Sequence, residues 1–158
     1  MPDRYPQMRS TKHLSENPLR HFVIPFLIAL GIYLISYKSI EHRRNWKGPW
    51  QVTFTNSISG VPQVVINQPF ISVTNVRLTL IGAAMPSAPA TTLLFDQPRE
   101  VPYDVPFGKC IFMDTTFLPG TVTFRLFGHE IELLPRVLII DHEEHGWVSG
   151  SEISLPGS

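Results

Sequence analysis

Cysteine is almost missing from this chain: one among 158 residues. A lone thiol excludes an intramolecular disulfide framework and any metal knot built from several cysteines. Charge is scarce as well. Asp, Glu, Lys and Arg make up 16% of the residues, and 13 bases balance 13 acids. Scarce charge beside 43% hydrophobic residues excludes a disordered chain. Also missing are a GxSxG elbow, a phosphate-binding glycine loop, a dinucleotide fingerprint and a CxxC pair. No repeat recurs at a fixed period. On these grounds no enzymatic activity is expected, and no cofactor is called for.

The zero net charge hides an asymmetry. Residues 1–47 carry eight Lys/Arg against three Asp/Glu, a balance of +5, and residues 48–158 carry five against ten, a balance of −5. A phosphate backbone repels an acidic domain, so nucleic acid is not an expected partner. The basic part flanks an apolar run, where anionic headgroups would lie.

That run, Phe22 to Tyr37, has no charged residue. Extended to 21–40 it spans roughly 30 Å as a helix, about one bilayer core. It leads into Tyr37-Lys38-Ser39-Ile40-Glu41-His42-Arg43-Arg44, which lacks a small-x-small cleavage pattern. The run also lacks the polar face of a soluble helix. An uncleaved single-pass transmembrane helix is therefore expected. Pro25 would fall in its first turn if the helix began near Phe22. Tyr33, Tyr37, Trp46 and Trp50 would supply interfacial aromatics. Ala29, Gly31 and Ser36 would let another helix approach closely. Arg4, Arg9, Lys12 and Arg20 before the span are matched by Lys38, Arg43, Arg44 and Lys47 after it. The balance is near even, and the expectation adopted is a cytoplasmic N-terminus with the large domain outside.

After Gly48-Pro49 the hydrophobic period changes to two, as in half-buried strands. Strands are expected at 50–55, 63–66, 70–81 with a bend near Thr74-Asn75, 91–95, 109–115, 121–127, 130–134, 136–140 and 152–155. Gly128-His129 is expected to form a two-residue hairpin turn. The proline-rich stretch 82–107 reads as loop apart from 91–95. The organisation is then a polar tail (1–20, with a helix cap at Ser15 or Asn17), a transmembrane helix (21–40), a basic linker (41–49), a β-domain (50–155) and a short tail (156–158). The fold class is all-β: a β-sandwich, immunoglobulin-like or jelly-roll-like, behind one membrane helix.

Candidate chemistry is sparse. Asp141-His142-Glu143-Glu144-His145, with His129 and Glu130 upstream, offers the imidazoles and carboxylates that zinc uses. His142 and His145 would need a turn to meet, and the spacing is not the helical HExxH. A solvated loop tip is the reading adopted for the cluster, so no metal is committed and His129, His142 and His145 stand only as candidates. Alternation puts Cys110 on the same face as Phe112, where a buried, inert thiol is the common case. Asp96, Glu100, Asp104 and Asp114 read as scattered surface acids rather than a calcium site. Tyr103, Phe107 and Trp147 would form a docking surface, or else pack over the sandwich.

The expectation is a single-pass, membrane-anchored β-domain with a structural or accessory role in a membrane or envelope complex. Its partners would be the lipid bilayer and other subunits. The alternatives are an anchored glycan- or ligand-binding module and, behind it, a metal-dependent site in the 141–145 loop.

Overall fold

The computed structural model describes residues 18–83 and 89–157. The chain divides into two compact units, one ending at Ser39 and one beginning at Ile40. The expected cap at Ser15 or Asn17 lies outside the described residues.

Helix α1 (Pro18–Asn45) is the only element of the first unit among the described residues, and its last residues belong to the second. Proline at its first position has a preset φ and no N–H to leave unpaired. The helix therefore starts earlier than expected, and Pro25 lies inside it rather than in the first turn. There it removes one donor from the helical ladder. Side chains around the whole circumference are apolar and exposed, from Phe22 and Phe26 to Ile32 and Ile35. The residues 21–45 form a helix long and apolar enough to cross a membrane. Gly31 has open space where a Cβ would stand.

The second unit is mostly strand, in two facing sheets. The first sheet is built from β1 (Trp50–Asn56), β2 (Pro62–Gln68), β3 (Val73–Ile81), β4 (Thr91–Phe95) and β11 (Glu152–Pro156), in the order β11-β3-β2-β1-β4. The second contains β5 (Tyr103–Val105), β6 (Gly108–Asp114), β7 (Thr121–Leu126), β8 (His129–Leu133), β9 (Leu138–Ile140) and β10 (Glu143–His145), in reverse chain order from β10 to β5. That second sheet is one continuous antiparallel meander. The chain crosses between sheets after β4 and again before β11, which runs parallel to β3.

Period-two alternation builds the core. Trp50, Val52 and Phe54 of β1 and Val76, Leu78 and Leu80 of β3 point inward. They meet Val122, Phe124 and Leu126 of β7 and Ile131 and Leu133 of β8. Phe124 makes edge contacts with Phe54 (centroids 6.1 Å apart) and Phe95 (5.3 Å), the geometry that ring quadrupoles favour.

Several expectations are corrected by this fold. Trp50 is not interfacial: it is fully buried, and its indole N–H donates to the Gly120 carbonyl (3.1 Å). The strand expected at 70–81 begins only at Val73, because a single 3-10 turn at Pro69–Ile71 and a left-handed Ser72 come first. The buried Gln68 amide organises this corner, donating to the carbonyls of Gly48 and Pro49 while its oxygen accepts from the Phe70 N–H. The hairpin turn between β7 and β8 is Phe127-Gly128, one residue earlier than expected, with φ of 46° and 88°. Positive φ at both central residues is the turn whose twist matches the strands. A register shift between Cys110 and Phe112 defeats the simple alternation there, so Cys110 is buried while Phe112 faces solvent. The 103–105 stretch, expected as loop, forms β5.

Candidate functional site

The polar cluster around 141–145 is not a loop tip. Asp141 and His142, with φ of 50° and 72°, make a tight turn between β9 and β10, and Glu143–His145 pairs back onto β9. The β8–β9 pairing aligns Ile131 with Ile140, and one step further on the Asp141 N–H donates to the Glu130 carbonyl (2.9 Å). This brings Asp141 beside His129, the first residue of β8.

His129 is almost fully buried. Its Nδ1 lies 2.6 Å from Asp141 Oδ2, and its Nε2 lies 2.7 Å from the Pro156 carbonyl oxygen on β11. A backbone carbonyl can only accept. The carboxylate also accepts, since its other oxygen receives the Glu130 N–H (2.9 Å). Protonated, the ring donates from both nitrogens and matches both acceptors, and this arrangement favours the imidazolium. The hydrogen bond to Asp141 pushes the His129 pKa up, burial partly offsets this, and the Pro156 carbonyl adds to the rise. For Asp141, burial pushes up. Hydrogen bonds from His129 and the Glu130 N–H, with the nearby His129 and His142 charges, hold the carboxyl below its ordinary value.

This junction is a tie between sheets: β8 lies in one, β11 at the edge of the other. With both nitrogens donating, His129 has no lone pair for a metal or for a substrate proton. His142 is exposed and His145 half-exposed. Among the described residues no three His, Cys, Asp or Glu side chains gather to hold a metal.

The aromatic candidates all turn partly inward. The Trp147 ring packs on Trp50 (5.2 Å), and its N–H donates to the Leu134 carbonyl (2.9 Å). Phe107 stands edge-on to Phe54 (5.7 Å). The Tyr103 ring carries the Arg99 guanidinium 5.6 Å from its centroid, and its hydroxyl points at Met113 Sδ. Burial pushes the Tyr103 phenol well above its ordinary range. Burial also raises Cys110, which leaves less thiolate to act as a nucleophile. Asp114 holds the loop that follows it, its Oδ1 accepting from the Thr116 N–H (2.9 Å).

An open depression of about 600 Å3 lies on the outer face of the first sheet, lined by Asn56, Gln63, Asn75, Arg77 and Glu152 among others. Both polar atoms of the Asn56 amide are covered and without a hydrogen-bond partner. Sequence patterning shows these residues only as the polar sides of alternating strands. It does not show that β11 would bring Glu152 against Thr79 (2.7 Å).

No family model, curated protein or solved structure matches the chain.

Proposed function

We propose that this chain is a single-pass membrane protein whose β-sandwich serves a structural or accessory role in a membrane or envelope complex. The observation that carries the reading is the helix over 21–45, apolar and exposed around its circumference. Such a surface needs lipid or other helices against it. The sandwich supports the non-enzymatic side of the reading. Its buried titratable groups are used internally, His129 as a sheet-to-sheet tie and Cys110 as a core residue. The extracytoplasmic placement of the domain belongs to the same proposal; the Lys/Arg count flanking the span is even, and a domain of this size can be exported regardless of local charge.

Within the sandwich class, a two-meander architecture has more support than an immunoglobulin-like or jelly-roll one. Greek-key folds pass repeatedly between sheets, whereas here six successive strands stay in one sheet.

Full-length tagged protein, purified in mild detergent, should bring stoichiometric membrane partners identifiable by mass spectrometry. Gly31→Leu should lower their recovery several-fold by blocking close helix approach. The melting temperature of the domain should stay unchanged, because a Cβ at position 31 meets open space. Protein that comes alone from both preparations would sink the accessory reading.

A second reading, an anchored module for a polar ligand such as a glycan, is favoured by the outer-face depression with its unpartnered Asn56 amide. It would be carried by that face rather than by Tyr103 or Trp147. Glycan-array binding lost on Arg77→Ala would support it.

A further inference from the structure

We infer that the domain carries a face for anionic lipid headgroups, formed by Trp46, Phe117, Arg43 and Lys47. The inference rests on the membrane-anchored reading and names a second contact with the same bilayer. All four residues belong to the unit that begins at Ile40. They line one depression of about 300 Å3, completed by Leu118, Pro119 and Pro135. Trp46 is 63% exposed and Phe117 61% exposed. Each is a large ring that the fold leaves in the open although a packed core lies nearby.

The exposure of Phe117 is built in, not a fraying loop end. Its neighbour Leu118 is buried, and the Leu118 N–H donates to the carbonyl of Arg44 (2.9 Å). Asp114 closes the turn before it through the Thr116 N–H. Beyond it, Gly120 has φ of 70° and takes the Trp50 indole N–H on its carbonyl. A Cβ at Gly120 would overlap the Asp114 carbonyl oxygen. The 115–120 loop is thus fixed on both sides of Phe117, beside the end of α1.

The chemistry of the face is that of an interface with lipid. Exposed aromatics beside uncompensated cations match the headgroup layer, where amphipathic rings sit and anionic lipids attract Lys and Arg. Arg43 and Lys47 make no ion pair among the described residues, whereas Arg44 spends its charge on Glu41 (2.8 Å). Position along the chain agrees. The apolar run ends by Ile40, and Asn45, the last helical residue, follows it by about 8 Å of helical rise. The headgroup layer on each side of a bilayer is about 5–8 Å deep.

The test uses full-length protein in vesicles containing brominated lipid, which quenches indole emission on contact. The parent is Trp46→Phe, and Phe117→Trp is added to it. Trp50, which is buried, and Trp147, which is half-buried, remain in the parent, and their emission, read in the same vesicles, is subtracted as background. Emission from the added indole should fall with shallow-brominated lipid. The fall should be about twofold larger when roughly a third of the lipid is anionic, and should shrink in about 0.5 M salt or on Arg43→Glu with Lys47→Glu. An unchanged melting curve checks that the variants fold. Leu30→Trp in the same parent, read with deep-brominated lipid, reports the span. Quenching at position 30 with none at 117 overturns the lipid face and leaves the anchor standing, the face then meeting protein or water. No quenching at either position overturns both.

Discussion

At the scale of single residues, His129 is the most consequential side chain in the domain. Its two donors serve two acceptors, one in the β9–β10 turn and one on β11, and a neutral ring would leave one of them unmatched. Folding raises its pKa above the ordinary 6.5. The stabilisation is therefore fully present below about pH 6.5 and is lost as pH rises through the raised folded value. Asp141 is shifted down from 3.8, so its share is present above that value and lost as pH falls through the depressed one. The window of greatest stability from the pair lies between the two. Other charges near the pair are Glu130, whose carboxylate is paired with Arg125 (3.2 Å), and His142. Thermal melts from pH 5 to 9 should show melting temperature falling above neutrality in the native chain. His129→Gln should flatten that slope and cost about 1–2 kcal/mol at pH 6, a charge-assisted bond discounted because the Asp141 side chain is half exposed. An identical slope in the variant would remove His129 from the account.

At the scale of elements, the tight turns carry conformational tension that can be relieved. His142 holds φ at 72° in the two-residue turn between β9 and β10 while exposed to solvent. Positive φ crowds a Cβ, and Asp-Gly is a favoured pair for such a turn. His142→Gly should therefore raise stability by about 0.5–1 kcal/mol in urea unfolding, and a loss would show that the imidazole does something there that geometry does not reveal. The turns also mark where the sequence was legible and where it was not. The strand at 121–126 stands where its alternation of Val122, Phe124 and Leu126 puts it, and that at 91–95 stands where the run of β-formers free of proline lies. The shift at Cys110 and Phe112 was hidden, since a bulge depends on the partner strand and leaves no mark in composition. β5 was hidden for a related reason. Three residues between Pro102 and Pro106 show too short a pattern, and pairing with β6 decides them. The His129–Asp141 contact lies between these cases. Two successive hairpin registers, counted outward from Ile131 and Ile140, bring the residues together, though nothing in their spacing along the chain suggests it.

At the scale of the whole molecule, the boundary between units falls where the apolar run ends, ahead of the basic segment rather than after it. The sequence places a linker at 41–49, whereas the compact unit begins at Ile40 and the Arg44 carbonyl takes a hydrogen bond from the 115–120 loop. A fragment of residues 40–158 should accordingly be more stable than one of residues 48–158. The difference should be at least about 1 kcal/mol in denaturant titration, the worth of one hydrogen bond. Equal midpoints would mean that the basic segment only passes by the domain. The strand order has a further, kinetic meaning. Within the second sheet every pairing joins neighbours in the chain, and β1, β2 and β3 likewise follow one another, so most of the sandwich assembles through short loops at little entropic cost. β11 is different. It must find β3 across a separation such as the 73 residues between Thr79 and Glu152, after both meanders exist to receive it. Until it docks, β3 offers a bare edge to any other extended chain. Once docked, β11 is itself the edge, but a shorter one ending in Pro156, so the rate of its docking bears on how long each newly made molecule exposes the longer β3 edge to aggregation.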